Sequence, residues 1–373
     1  MVHILADGSH NAAGPYAGVL HIFVAFDWGE EVDLDHARRL LPAELHNLPR
    51  RLRTPPSIAY QSPPLRFPLP AVEIPVPIVG RTVVSADLML FDFGAASLAF
   101  QCDFRLHPEE LTRLAGELAD PTVFIAAGRE ACRPIFDQLR DAIVHQEWAD
   151  LSEEYFVFQL LPQSTQPSPE QLLAQYPHWL AGLVHLEAGP LSETEIAEAL
   201  RLRSSYSPQD LIITDWAAAV VVDSECAEVL ETIAFANLQL LEFRHIDQRL
   251  DSRLKTAYDL IHQLAHTRLP IWQTHARRLR GLRELKAEMN EMFERASDAL
   301  TLVGDPYIAR VFQQLSSRFH LDDWGRNIRR SISVLEGIYQ SVSDQVAIYR
   351  TEVLEVVVII LILMEILLTI FRH

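Results

Sequence analysis

The final segment of the chain limits its fold more than any other stretch. From Val353 to Phe371 run 19 residues, nearly all aliphatic, with charge only at Glu355 near the start and Glu365 inside. A bilayer-crossing helix needs about 20 apolar residues. The sequence therefore predicts one C-terminal transmembrane helix within a tail anchor at 351–373, with the bulk of the chain on the cytosolic side. A buried core helix of an oligomer is the alternative. The N-terminus, Met1-Val2-His3-Ile4, has no basic region or long apolar run, so it does not read as a secretory signal.

The same helix carries the most regular pattern in the chain. Ile328, Ile332, Leu335, Tyr339, Val342, Val346, Tyr349, Val353, Val356, Ile360, Leu363, Leu367 and Ile370 alternate steps of four and three. That is a heptad seam, and a seam needs a partner helix. Within a bilayer this chain offers no second span, so homo-oligomerisation is expected. Glu365 falls off the seam. A carboxylate in hydrocarbon costs several kcal/mol unless protonated, paired or facing a cavity, so it either assists assembly or lines a proton or ion path. Glu355 is expected at the headgroup boundary.

Charge removes one large class of function. Lysine and arginine number 32 against 50 acidic residues, a net charge of −18. A general nucleic-acid binder needs a positive field to hold phosphates. Residues 1–150 balance at −8, 151–260 at −11 and 261–373 at +1, so the least acidic third adjoins the expected anchor, as suits anionic headgroups. Cys102, Cys132 and Cys226 are scattered, which excludes a disulfide framework or a cysteine zinc site.

One short pattern occurs three times. Ile22-Phe-Val-Ala-Phe precedes Asp27-Trp28-Gly29, Leu88-Met-Leu-Phe precedes Asp92-Phe93-Gly94, and Leu211-Ile-Ile-Thr precedes Asp215-Trp216-Ala217. In the last two a second apolar run comes next, which predicts strand, tight turn, strand. These two read as equivalent hairpins of a duplicated or pseudo-symmetric α+β domain. Between 49 and 77 prolines recur, so that stretch is extended, with its interspersed aliphatics lying against the domain.

Helices are expected from Pro108, across Arg129 to Trp148, from Ser168-Pro169 and from Ser192, whose Glu195 completes a capping box. From Glu225 to His266 there is no glycine or proline, and a second long helix is expected over Gln273 to Leu302.

Candidate chemistry is sparse. His262 and His266 share a helical face and could chelate a metal, but a defined third ligand is missing, so they are weak candidates. Asp92-Phe93-Gly94 spells a kinase metal motif without the Gly-rich loop or strand lysine that should accompany it. No Walker loop, dinucleotide fingerprint or nucleophile elbow is present, and no cofactor is expected.

The hairpin residues Phe93-Gly94-Ala95-Ala96 and the closing helix with Leu354-Glu355, Ile359-Ile360-Leu361-Ile362 and Glu365 resemble the family named as required for meiotic nuclear division. Asp305-Pro306-Tyr307 and a long helix lie between them in that family's order. The resemblance implies a membrane-anchored, non-enzymatic protein, here of bacterial type on the inner (cytoplasmic) membrane. The family's mitochondrial members support translation.

The sequence thus predicts an α+β fold. A hairpin-plus-helix cytosolic domain (1–223) leads to long antiparallel helices or coiled coil (224–350), then the anchor. The expected function is an oligomeric, membrane-tethered scaffold for an unidentified cytosolic protein partner. An ion or proton conduit using Glu365, or a metal-dependent enzyme, are the alternatives.

Overall fold

A computed structural model describes residues 14–41, 55, 58–163, 166–266, 287, 289–298, 300–302 and 305–371. The chain divides into two compact units, Met1–Phe243 with Arg295–Asp322, and Arg244–Glu294 with Asp323–His373.

The first unit begins with β1 (Tyr16–Asp27), β2 (Glu31–Val32), α1 (Leu34–Leu40), β3 (Ile58–Tyr60), β4 (Leu65–Val76), β5 (Gly80–Leu90) and β6 (Ala95–Leu106). Next come α2 (Pro108–Leu118), α3 (Thr122–Gln138), β7 (Ile143–Val144), β8 (Ser152–Leu160), α4 (Pro169–Gln175), α5 (Pro177–His185) and α6 (Glu193–Ala199). The strands β9 (Arg203–Ser204), β10 (Leu211–Thr214) and β11 (Ala218–Val222) complete this run. After α7 (Ala227–His266) the unit adds β12 (Leu300–Leu302) and α8 (Pro306–Arg318), and α9 (Leu321–Phe371) closes the chain.

Eight strands form one mixed sheet in the order β4-β5-β6-β1-β8-β11-β10-β9. Alternation along β1 explains how it is covered. Leu20, Ile22, Val24 and Phe26 enter a core shared with Leu111, Phe124, Leu180 and Ile196 of the helices from α2 to α6. Phe23 and Ala25 point to the other face and are buried as well. There α7 contributes Asn237, whose amide donates to the Glu153 carbonyl at 3.1 Å. A sheet buried on both faces explains why its strands read as nearly continuous apolar runs.

This sheet corrects the expected hairpin-plus-helix domain. The two best-matching hairpins, β5–β6 and β10–β11, belong to the same sheet and flank the antiparallel central pair β1–β8. A two-fold between them would give both hairpins the same sense against that pair. Instead β6 runs antiparallel to β1, while β11 runs parallel to β8. The hairpins are therefore not equivalent halves of a duplication.

Several local signals act as physical chemistry requires. Ser168 and Ser192 cap α4 and α6 by accepting from the Gln171 and Glu195 amides. Asp305 caps α8, with Pro306 at its first position. The helix expected over Arg129–Trp148 lies earlier, at Thr122–Gln138, with the Asp120 carboxylate accepting from the Thr122 amide at 3.1 Å just before it. Leu300–Leu302, expected as helix, are instead the strand β12 that pairs with β3. Pro68, Pro70 and Pro75 lie on β4, an edge of the sheet, where missing amide donors hinder pairing with another chain.

The expected coiled coil and transmembrane helix are corrected too. Residues 227–243 of α7 belong to the sheet unit. On α9 the buried side chains include Leu321, Ile328, Ile332, Leu335 and Ile338, whereas the side chains from Leu354 to Leu368 are exposed. In the second unit Ile328, Ile332, Leu335 and Ile338 are buried, as are Leu250, Ala257, Met289 and Met292, and the Arg329 guanidinium lies 5.2 Å from the Phe293 ring centroid. The seam positions Val356, Ile360, Leu363 and Leu367 are exposed, so the seam is not one continuous coiled coil. Among the described residues, no helix is long and apolar enough to cross a membrane. Glu355 and Glu365 confine the longest charge-free run to residues 356–364, about 13 Å of helix against a hydrocarbon core of about 30 Å.

Candidate functional site

The register of the sheet brings the three Asp-aromatic-small breaks to one end. Asp27 pairs with Ala95 and Phe26 with Ser152, so β1 finishes where β6 and β8 begin. β11 starts at the same end, with Ala218 opposite Phe156.

Two of the breaks interlock. Trp28 donates its amide to the Gly94 carbonyl at 3.0 Å, and the Asp92 carbonyl accepts from Val32 at 2.7 Å. Gly94 has φ +93° and lies so close to Gly29 that an added Cβ would sit 1.8 Å from the Gly29 oxygen. Only glycine fits that approach. Trp28 is fully buried, with ring centroids 5.6 Å from Phe136 and 5.5 Å from Trp148. Phe93 is 3% exposed and lies 5.3 Å from Phe91. These aromatics are core plugs.

The third break is built differently. Asp215 is buried, and its Oδ1 accepts from the Trp216 amide at 2.8 Å. Arg318 Nε of α8 stands 3.3 Å from Oδ1, and His185 Nε2, at the end of α5, stands 3.4 Å from Oδ2. Arg318 also donates through Nη1 to Glu198 of α6 at 2.9 Å. The Tyr155 hydroxyl on β8 donates to the Asp215 carbonyl at 2.8 Å. Side chains of α5, α8 and β8 thus meet at one turn, and α6 is joined to it through Arg318.

Burial pushes the Asp215 carboxyl above its ordinary range, against the opposing pull of Arg318 and His185. Burial, aided by the negative Asp215, raises the Tyr155 phenol well above its usual value. A His–Asp couple can orient an imidazole for nucleophilic catalysis. Here an arginine shares the carboxylate, and the result is an ionic clamp on the turn. The clamp leaves Trp216 on the surface, 63% exposed.

A second buried cluster lies elsewhere on the first unit. Arg66 of β4 forms a bidentate pair with Glu231 of α7, and the Tyr60 hydroxyl donates to the same carboxylate at 2.5 Å. Burial, with Glu231 beside it, holds the Tyr60 phenol well above its usual range.

Of the other residues singled out by sequence, Val356, Ile360, Leu363 and Leu367 are 50–55% exposed on α9. Glu355 and Glu365 are exposed on the same helix. His262 and His266 fall within the backbone of α7, and their side chains lie outside the described residues. Among the described residues no group of three His, Cys, Asp or Glu side chains could hold a metal. Sequence reasoning missed His185, Arg318, Glu198 and Tyr155. They are distant from Asp215 in sequence, and no local motif marks them.

Comparison with known proteins yields an uncharacterized protein, MJ0711, of the archaeon Methanocaldococcus jannaschii, 23% identical over 206 residues. The alignment covers 55% of this chain and 62% of that relative, so the chain spans less than two thirds of its length. No solved structure matches. The expected membership of the family required for meiotic nuclear division is overturned by the profile that does match, and the bacterial reading by the archaeal relative. The matching profile runs over residues 17–228, from the second residue of β1 past the end of β11, and the chain belongs to the family described as Uncharacterized protein MJ0711, N-terminal domain.

Proposed function

We propose that the chain is a non-enzymatic, self-associating scaffold, joined to further copies of itself through the C-terminal part of α9 and holding protein partners on its sheet unit. One observation carries this reading. From 354 to 368 every residue except Glu355 and Glu365 is a large apolar side chain, 46–65% exposed around the whole helix. A helix apolar on all sides is one that is buried in its working state. Completing the burial of each side chain contributes about 1 kcal/mol, on the order of 10 kcal/mol for the set. Association itself costs about 4–15 kcal/mol. A single two-helix seam would therefore be marginal, and the scaffold needs several copies around each helix.

The heptad spacing of Val356, Ile360, Leu363 and Leu367 supports copies of the same helix as the cover. The lack of any phosphate-cradling, nucleophile or cofactor motif in the sequence supports a scaffold over an enzyme. Sedimentation of the full-length Ile360→Asp/Leu363→Asp variant beside the parent tests the reading. The scaffold predicts a defined oligomer for the parent and a monomer for the variant. A monomeric parent that partitions into lipid vesicles would contradict it.

A further inference from the structure

We infer that Trp216 anchors a docking surface for a basic protein segment, with an arginine or lysine of that segment stacked on its indole. The three related breaks make the contrast internal to the molecule. Trp28 and Phe93 are 0% and 3% exposed and fill the core, whereas Trp216 is 63% exposed. This exposed ring sits on a turn held by more partners than hairpin geometry needs. Asp215 accepts its amide, Arg318 stands at ion-pair distance from the Asp215 carboxylate, and Tyr155 donates to the Asp215 carbonyl. A turn fixed in advance presents its indole with little ordering left to lose on binding. Tryptophan is also among the residues that dominate interface energetics.

Charge identifies the occupant. The first unit carries 17 basic and 37 acidic side chains, a balance of −20 that leaves +2 of the chain's −18 to the second unit. Two such units repel one another face to face, while a basic segment is drawn in. Indole is the best aromatic platform for a cation. Glu198, 46% exposed beside the clamp, already accepts from both Arg201 and Arg318, so the attraction comes from the charge of the unit as a whole. The inference extends the scaffold reading by naming a partner class. It stands on the first unit alone, so loss of docking and loss of self-association are read separately.

The test is calorimetric titration of the full chain with a short peptide of alternating arginine and glycine, at an ionic strength of about 0.15 M. Trp216→Ala is expected to weaken binding about tenfold. Trp216→Phe should keep most of it. Tyr206→Ala, which removes an aromatic 78% exposed on the β9–β10 loop, should change nothing. Equal binding by Trp216→Ala and the parent would overturn the inference, since net charge alone would then explain the affinity. So would a parent that does not bind the peptide. A third contrary outcome is a Trp216→Ala chain with altered oligomer mass and unchanged peptide binding, which would give the ring to self-association.

Discussion

At Gly94 a methyl group would sit 1.8 Å from the Gly29 oxygen, and the atoms facing it are backbone that cannot rotate away. The residue also has φ +93°. Gly94→Ala is therefore expected to destabilise the fold by about 3–4 kcal/mol or more, read by urea unfolding. Gly80→Ala is the control, because Gly80 has a similar φ of +90° and nothing within 4 Å, so its cost should be near 1 kcal/mol. Equal effects would mean that the Gly29–Gly94 approach does not hold the sheet end together. His245 gives a second test at this scale. Burial, with Arg249 beside it, lowers its pKa from 6.5 to about 4. The folded state disfavours the proton, so this contribution is present above pH 6.5 and is lost as pH falls toward 4, at most about 3 kcal/mol. Buried His21 is lowered too and adds in the same direction. Unfolding free energies at pH 7 and 4.5 should show a smaller acid-side decline in His245→Gln, and an unchanged slope would refute the assignment. The repeated Asp-aromatic-small triplets are visible in the sequence, but which aromatic is buried is not. That depends on neighbours such as Phe136 and Trp148 for Trp28, which no local pattern supplies.

Between elements, the Arg66–Glu231 pair ties the edge strand β4 to α7 with both side chains nearly buried. Removing one partner strands a charge, so Glu231→Gln should cost about 3–5 kcal/mol. The double change Arg66→Met/Glu231→Leu should recover most of that loss. A double-mutant cycle with no coupling would show that Tyr60 and the surrounding aromatic rings, not the ion pair, fasten β4. Legibility at this scale depends on sequence distance. Caps such as Ser168 and Ser192 and the run before Asp92 are local, and they are readable. The parallel pairing of β11 with β8 and the antiparallel pairing of β12 with β3 join segments far apart in the chain, and hydrophobic period alone does not specify such partners. The Asp215 clamp is hidden for the same reason, since its His185 and Arg318 come from different helices.

For the whole molecule, the apolar C-terminal part of α9 decides how the chain behaves in water. Its hydropathy and heptad spacing alone read as a membrane span and a long coiled coil. In the structure the side chains from Leu354 to Leu368 are exposed, and Glu355 and Glu365 divide that segment into apolar runs too short to cross a bilayer. The helix therefore presents an exposed apolar surface that needs a cover, and the scaffold account supplies copies of the same chain. The direct test is the mass of the full-length protein by light scattering, beside a chain ending at Arg350. The account predicts a defined oligomer for the full chain and a monomer for the shortened one. The same mass for both would contradict it.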